Sequence, residues 1–378
     1  MGAVATLHPR GAAPPVGRLD LHDLDTLRLV LRGHSVVDWR QLHFTRAEDV
    51  DAFLRVNELR PTRRPEDRER MEDLRARSVE YLRSHLGYRR IPDEVSLVDD
   101  PTELFFLASS ARRRRIRMFS CMCLKVMHIL HYQEGHELLA RLPLSGAEVS
   151  VLLQAKVERV IRGMLESKTP LVTFAGNTKT NDSILSKLLA KQDSQVAKVF
   201  DKLRFRIVTE RIEDIPPLIC TLTRELMPFN YLVPGQSDNT LFDLDKLLVR
   251  AGNMTAVRSP PDRMNEPPES AKDQTPKNEF SGPSYRIVSF VCEVPVRIDH
   301  AVPLEGPALE RLGHVVFGTV EFQLVDRVSA ERNESGENRH ALYKFRQRTR
   351  VKERLERGRA APRRWPRSGA ELSGAPGR

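Results

Sequence analysis

The sequence has few of the features that mark exported, disulfide-bonded or membrane-spanning proteins. Only four of its 378 residues are cysteines, and their spacing shows no disulfide framework, which suits a reducing compartment. The first residues, 1–18, lack the apolar core of a signal peptide. No apolar run approaches the roughly 18 residues that would span a bilayer. We therefore expect a cytoplasmic protein without a membrane partner.

The positive charge is unevenly distributed. The formal net charge is +10, and the segment 344–378 holds twelve Lys or Arg against three Asp or Glu. A basic tail rich in Arg, Pro and Gly, here 357–378, is typical of solvated, disordered sequence. Electrostatic attraction to RNA or another polyanion is the alternative for this tail. The remaining chain is close to neutral, which favours a globular protein.

Apolar periodicity changes character near residue 167. Before that point, spacings of three and four predict helices within 21–31, 66–86, 116–132 and 147–166. After it, short apolar runs predict strands at 170–174, 203–209, 285–298 and 314–326, and helices at 183–191 and 215–227. The fold class predicted is α+β, with a mixed sheet.

This pattern divides the chain into four parts. We expect a disordered N-terminus at 1–18, a helical module at 19–166, a mixed α/β domain at 167–356 and the basic tail at 357–378. Within the third part, the Pro-rich polar stretch 253–284 is interpreted as a loop insertion.

Two clusters in the helical module could suggest a binding site. Metal-capable side chains gather at Cys121, Cys123, His128, His131 and His136, but a structural zinc site needs four convergent ligands and Cys-x-Cys thiols diverge on a helix. Core packing and surface histidines are the favoured interpretation. The arginine run 112–115 is interpreted as a solvated helix face, with an anion-binding patch as the alternative.

Phosphate-directed side chains gather around the helix predicted at 183–191. Lys187 lies four residues after Ser183, so both fall on one helical face, and Lys179 lies in the preceding turn. The free N–H groups of a first helical turn form an anion site. An ordinary exposed helix is the alternative, because Lys and Ser are common on such surfaces.

Carboxylates stand at two predicted strands. Asp201 lies at the entrance to a strand in which Arg204 and Arg206 alternate with apolar residues. Glu321 and Gln323 alternate with apolar residues in the last strand. A carboxylate in such a strand must have a partner or face a cleft. Pairing of Glu321 with Arg206 or another cation is the alternative to a functional role.

Taken in order, these segments resemble the synthetase domain of the RelA/SpoT family, which transfers pyrophosphate from ATP to the 3′-hydroxyl of GDP or GTP. The stretch 177–187, Asn-Thr-Lys-Thr-Asn-Asp-Ser-Ile-Leu-Ser-Lys, follows the family's first signature except at Asn177, where arginine is expected. The stretch 201–207 follows Asp-x-x-Gly-x-Arg-Ile except at Arg204. The stretch 320–323, Val-Glu-Phe-Gln, matches Val-Glu-Ile-Gln. Weaker matches occur at 284–289 and 340–344.

The resemblance implies a mixed-sheet nucleotidyltransferase-like domain flanked by helices, covering roughly 168–355. It implies that Asp201 and Glu321 hold Mg²⁺, and that Glu321, in a motif shared with Gln323, helps to activate the acceptor hydroxyl. Transfer of this kind depends chiefly on positioning and on cations that offset developing charge. The implied activity is guanosine polyphosphate synthesis, the chemistry of the stringent response.

The resemblance also implies nucleotide-binding residues. Lys179, Lys187 and Arg206 would neutralise the phosphates of ATP, with Ser183 in the same signature, and Tyr285 would stack on the acceptor base. The family's His-Asp hydrolase motif is not found in the N-terminal half of the sequence, so that half is interpreted as a regulatory or partner-binding module.

Three departures keep other functions open. Asn177 removes a cation, Arg204 adds bulk at a glycine position, and Ser289 stands where the family has histidine. The alternatives are therefore a transferase whose acceptor is the 3′ end of tRNA, and a nucleotide-binding protein of this fold without catalysis. The oligomeric state and any regulatory ligand stay open.

Overall fold

The computed structural model describes residues 4–6, 20–39, 42–166, 169, 171–178, 180–190, 203–243, 282, 284–299, 301, 306, 309, 311–335 and 340–356. Within these ranges the protein is α+β, as predicted. Its α-helices are α1 (Leu21–Arg32), α2 (Ala47–Val56), α3 (Pro65–Ser84), α4 (Asp93–Ser96), α5 (Glu103–Ser110), α6 (Arg114–Arg141), α7 (Gly146–Glu166), α8 (Asn181–Ala190), α9 (Ile215–Glu225), α10 (Arg327–Asn333) and α11 (His340–Leu355).

A mixed sheet forms the centre of the fold. Its strands are β1 (Val4–Thr6), β2 (Leu171–Thr178), β3 (Leu203–Thr209), β4 (Asp238–Asn239), β5 (Val288–Arg297) and β6 (Val315–Asp326), in the spatial order β1-β2-β3-β6-β5-β4. The β3–β6 pair is parallel and the others are antiparallel. The short edge strand β1 lies in the segment 1–18 that the sequence predicted to be disordered, and it pairs with the otherwise open edge of β2.

One face of the sheet is apolar because β-branched and aromatic residues alternate along its central strands. Rings from four adjacent strands form a cross-strand row: Phe174 contacts Phe205, Phe205 contacts Phe322, and Phe322 contacts Phe290, with centroids 5.3–6.0 Å apart. Aromatic cross-strand pairs stabilise a sheet beyond the area they bury. The alternation predicted for β3 and β6 is confirmed, since the residues predicted to share the apolar face are buried.

Helices pack against both faces of the sheet. On the apolar face, Leu153 and Val149 of α7 approach Gly318. On the opposite face, α6 comes so close that a Cβ at Gly135 would lie 2.4 Å from the ring of Phe317. Because α6 covers only the first part of β6, the later, polar part of that face is left partly open.

The predicted elements are present, with shifted ends. The helix predicted at 116–132 is the longer α6, and the strand predicted at 170–174 extends through Thr178. The strand predicted at 285–298 begins only at Val288. The loop insertion predicted at 253–284 lies outside the described residues except at 282 and 284, as does the tail 357–378.

The helical N-terminal residues and the sheet share one hydrophobic core. That cluster includes Leu24, Leu54 and Leu153 from the helices together with Phe205 and Phe322 from the sheet. A second, smaller cluster lies within the helical part. No helix in the described ranges has the length and apolar character needed to cross a bilayer.

The cysteines behave as packing residues. All four are free thiols, and Cys123, Cys220 and Cys292 are buried. Burial raises the pKa of the Cys123 thiol to about 12. The part of the chain that the structure describes holds no group of three or more His, Cys, Asp or Glu arranged to bind a metal ion. In the helical Cys/His segment, Cys123 and His131 are buried, so His131 is a core residue where the sequence favoured a surface histidine.

Candidate functional site

The candidate site lies on the open, polar part of the sheet face beyond α6. Strand β6 presents Glu321 and Gln323 there, both half-buried. The parallel register with β3 places Arg204 beside Glu321 and Arg206 beside Gln323. On the other side, antiparallel β5 places Ser289 beside Gln323. The strand pairing thus brings two predicted site residues of β6 next to the cationic face of β3.

Glu321 stands at the centre of this arrangement. Its Oε1 accepts hydrogen bonds from the Ser289 hydroxyl at 3.1 Å and from the Gln323 amide at 2.8 Å. Its Oε2 is buried and has no hydrogen-bond partner among the described residues. Two neutral donors fix the orientation of the carboxylate without neutralising it. A buried carboxylate oxygen without a partner is costly unless a ligand completes the site.

Arg206 does not pair with Glu321, which was the alternative that the sequence left open. Its guanidinium instead donates to Glu334, at the end of α10, at 3.2 Å. The Glu334 side chain is 60% exposed, so solvent screens this pair and its net contribution is small. Arg206 can therefore exchange this partner for an anionic ligand at little cost.

Helix α11 adds cations that the sequence analysis did not assign to the site. Burial and the nearby charges of Arg204 and Arg348 lower the pKa of Lys344 on α11. Such mutual repulsion marks a cluster of like charges, which binds anions favourably. The available signal was the dense Lys/Arg spacing of the segment that forms α11, in which the sequence analysis found only a weak match to the family at 340–344.

Tyr285 is held next to the arginines by two polar side chains. Asn333 accepts from the Arg286 N–H at 3.0 Å and donates to the Arg286 carbonyl at 2.7 Å. Thr240 donates to the Tyr285 carbonyl and accepts from the Ile287 N–H. Burial raises the pKa of the Tyr285 phenol, although the nearby charges of Arg206 and Arg204 act in the opposite direction. The phenol is therefore neutral, and the backbone around Tyr285 is fixed near the cationic face.

Helix α8 begins at the same end of the sheet. The last residue of β2, Thr178, pairs with Leu203, whose neighbour Arg204 faces Glu321. Thr180 caps the helix, since its hydroxyl accepts from the Ser183 N–H at 3.4 Å and donates to the Ser183 hydroxyl at 3.1 Å. Ser183 and Lys187 are half-buried on this helix.

Two predicted site residues cannot be placed. Asp201 and Lys179 lie outside the described residues, so their assignment to the metal and to phosphate stays a prediction. At this site the described residues supply one carboxylate, Glu321, with an oxygen open for a cation. Mg²⁺ is commonly held by one or two carboxylates together with substrate phosphates and water. The donor set at Glu321 therefore fits Mg²⁺ bound jointly with a nucleotide.

Comparison with solved structures gives weak similarity to one group of proteins. The small alarmone synthetase 1 from Bacillus subtilis bound to its product pppGpp is 13% identical, with 56% of this chain and 87% of that chain covered at a TM-score of 0.31. The small alarmone synthetase 2 from the same organism is 14% identical, covering 57% and 94%, with a TM-score of 0.28.

A GTP pyrophosphokinase family protein from Streptococcus pneumoniae is similar to the same degree. It is 13% identical, and 54% of this chain and 84% of that chain are covered at a TM-score of 0.28. No protein-family profile matches the sequence, and no curated protein matches it.

Proposed function

We propose that the site transfers pyrophosphate from ATP to the 3′-hydroxyl of a guanine nucleotide, with Mg²⁺ as cofactor. The observation that carries this proposal is the Glu321 carboxylate, oriented by Ser289 and Gln323, with one buried oxygen unpartnered beside the arginines of β3. A fixed carboxylate next to a cationic surface suits a reaction that deprotonates a hydroxyl and moves a polyphosphate.

The charge of each residue indicates its proposed role. Arg204 and Arg206, with Lys344 behind them, would bind the donor phosphates and offset the charge that develops on them. Glu321, together with Asp201, would hold Mg²⁺, which supplies further charge neutralisation at the phosphates. Tyr285, held rigidly by Asn333 and Thr240, offers a ring face on which a purine base can stack.

The proposed transfer forms one phosphorus–oxygen bond and breaks another. The acceptor 3′-oxygen forms a bond to the β-phosphorus of ATP, and the bond from that phosphorus to the bridging oxygen of the α-phosphate breaks. AMP leaves with the bond's electron pair, and the hydroxyl proton passes to the Glu321 carboxylate. The products are AMP and a nucleotide carrying a 3′-pyrophosphate.

A labelled-donor assay tests this function. The protein is incubated with Mg²⁺ and ATP labelled at the γ-phosphate, with GDP, GTP or tRNA offered separately as acceptor, and the labelled product is resolved by chromatography. Transfer of label to GDP or GTP is expected. Absence of transfer to any acceptor, while ATP still binds, would instead support a nucleotide-binding protein without catalysis.

Substitution of the carboxylate tests the site itself. Glu321→Gln removes the proton acceptor and metal ligand but keeps the shape of the side chain, so we expect transfer to fall by about 100-fold or more while ATP binding is retained. Glu331→Gln is a matched control, because Glu331 is exposed on α10. Full activity of Glu321→Gln would rule out the proposed role of Glu321.

One observation favours tRNA as a second candidate acceptor. Helix α11 carries six Lys or Arg, at 344, 346, 348, 350, 352 and 354, against one acidic residue at 353. Such a helix attracts a polyanion longer than a mononucleotide. If tRNA is the acceptor, label appears at its 3′ end, and raising the salt concentration weakens transfer to tRNA much more than transfer to GDP.

A further inference from the structure

A second group of buried polar atoms, without hydrogen-bond partners among the described residues, lies around two adjoining cavities. The inner cavity, of about 100 Å³, lies among the helices and the short 3₁₀ turns 36–38 and 229–231. Its walls include six aromatic side chains: Trp39, Phe44, Phe53, Phe105, Phe229 and Tyr231. A cavity of about 150 Å³ with comparable apolar walls is known to bind benzene, so the inner cavity has the chemistry of a site for one small aromatic ring.

The outer cavity, of about 160 Å³, adjoins the inner one. Both are lined by Val36, His128, Asn230 and Tyr231. The Asn230 amide donates to Asn57 at 3.1 Å, but its Oδ1 is buried without a hydrogen-bond partner. The junction therefore offers a hydrogen-bond acceptor to a molecule that extends from one cavity into the other.

A buried carboxylate lines the outer cavity. Glu293 of β5 is 6% exposed, and its Oε1 accepts from the Thr319 hydroxyl at 2.6 Å. Its Oε2 is buried without a hydrogen bond in the described chain, and Nε2 of His136 lies 3.8 Å away. That distance exceeds hydrogen-bonding range. A carboxylate this deeply buried calls for a cationic partner.

Aromatic rings next to this carboxylate favour the same class of partner. Tyr132 and Tyr231 line the outer cavity with Glu293. Burial and the nearby Glu293 charge raise the pKa of Tyr132 to about 12, so its phenol is neutral. An ammonium group gains both from a carboxylate and from the faces of tyrosine rings.

We propose that the two cavities form one binding site for a small arylalkyl amine, with its ring in the aromatic inner cavity and its ammonium group at Oε2 of Glu293. Inorganic anions and nucleotides are excluded by the buried carboxylate and by the size of the inner cavity. The site adjoins the Glu321 site, because Glu293 pairs across the strands with Thr319 and is therefore a diagonal neighbour of Glu321 on the same sheet face. Of these two carboxylates, Glu293 lines the outer cavity.

Two probes of equal size separate the contributions of ring and charge. 2-Phenylethylamine and 2-phenylethanol share the ring and chain length, and only the amine is charged at neutral pH. Isothermal titration and ligand-observed NMR with the full chain measure their affinities. We expect the amine to bind at least tenfold more tightly than the alcohol.

Three variants identify the groups responsible. Glu293→Gln is expected to weaken amine binding about tenfold or more and to leave alcohol binding within threefold, because only the charge is removed. Glu137→Gln, at an exposed carboxylate of α6 that pairs with Arg141, is the matched control and should change neither. Val36→Phe, which places a larger side chain at the junction, should abolish binding of both probes, with circular dichroism confirming the fold.

The outcomes are decisive in both directions. Binding of the amine that depends on Glu293 and is blocked by Val36→Phe supports the site, and its persistence in Glu321→Gln separates it from the nucleotide site. Absence of saturable binding by either probe at millimolar concentration overturns the proposal. Amine binding that is unchanged in Glu293→Gln overturns the role of the carboxylate.

Discussion

At the scale of single residues, Glu321 and Arg206 lie on the same polar sheet face but do not pair with each other. Glu321 is oriented by two neutral donors, whereas Arg206 contacts the exposed Glu334. Had Arg206 paired with Glu321, both charges would have been satisfied within the protein and neither would be open to a ligand. Because they have different partners, the same face carries an open carboxylate oxygen of Glu321 and the guanidinium of Arg206, which is held only by an exposed ion pair.

The Arg206–Glu334 pair predicts a gain of function on mutation. Removing the Glu334 charge frees Arg206 for donor phosphates, and an exposed pair contributes about 0.2–1 kcal/mol. Glu334→Gln should therefore lower the KM for ATP by up to about fivefold, with kcat little changed. Steady-state kinetics at low salt measure this, and Glu331→Gln serves as control. An unchanged or higher KM would show that Glu334 does not compete with the nucleotide.

His131 predicts a loss of stability in mild acid. Burial, assisted by the nearby charge of Arg70, lowers its pKa to about 3, and neither ring nitrogen has a hydrogen-bond partner among the described residues. In the unfolded chain its pKa is about 6.5. Between these values the unfolded chain binds the extra proton, so stability falls as pH decreases below about 6.5, by about 1.4 kcal/mol per pH unit for this group.

Replacing this histidine should remove that contribution. Urea denaturation of the wild type and of His131→Leu at pH 7.0 and 5.5 measures the difference. The variant should be of similar stability at pH 7.0 and should lose about 1 kcal/mol less than the wild type at pH 5.5. The buried His128, whose pKa burial lowers to about 4, still titrates in both proteins. Equal pH slopes would contradict the assignment.

At the scale of elements, the position of α6 decides where the site can form. The helix lies so close to the sheet at Gly135 that a Cβ there would meet the ring of Phe317 at 2.4 Å and the carbonyl of Val315 at 2.8 Å. Close contact here buries the first half of the face. Beyond this contact the sheet face is free for Glu321 and Gln323.

A pair of glycine substitutions tests this contact. Gly135→Ala should destabilise the protein by about 1–3 kcal/mol, because neither the packed ring nor the backbone carbonyl can move freely. At Gly163, in the last turn of α7, a Cβ meets nothing within 4 Å. Gly163→Ala should therefore stabilise by about 0.5–1 kcal/mol through helix propensity. Thermal and urea denaturation measure both, and equal effects would contradict the close approach of α6.

The periodicity of apolar residues predicted a strand or helix well where each of its faces is either wholly packed or wholly open to solvent. The alternation in β3 and β6 separates a packed face from an open one, and it predicted which residues would be buried. The stretch 285–287 was predicted as strand because the run 285–298 is rich in Val, Phe and Ile, but its backbone hydrogen bonds go to the side chains of Thr240 and Asn333. The end of α6 was predicted near residue 132, which is too early. The helix continues through the polar residues that follow, because Gly135 still packs against the sheet.

The candidate site was predictable only in part, because it combines residues distant in sequence. Glu321, Gln323 and Arg206 were found because a charged or polar residue in an apolar strand stands out. Glu293 carries the same signal within β5 and was missed. The contribution of Lys344 depends on how α11 folds back near β3, and local sequence carries no information about that.

At the scale of the whole molecule, a buried arginine links the helices to the sheet. Arg297, at the end of β5, donates to Asp67 of α3 at 2.7 Å and to Asp299 at 2.6 Å. It also donates to the carbonyl of Glu58 at 3.2 Å. Asp67 is 2% exposed, so loss of its partner would leave a buried, uncompensated charge.

This link and the shared core predict that helices and sheet unfold together. Arg297→Met should destabilise the protein by about 3–5 kcal/mol, whereas Arg113→Met, at a pair whose arginine side chain is 79% exposed, should cost less than about 1 kcal/mol. In a Trp365→Phe background, the fluorescence of Trp39 reports on the helical part, since Trp39 stacks on Phe229 near α1 and α2.

Circular dichroism at 222 nm reports on the whole chain. In urea, both signals should give one coincident transition, and Arg297→Met should shift both midpoints equally. Separate transitions, with only one moved by the substitution, would show that the helical part and the sheet are independent folding units despite the core residues they share.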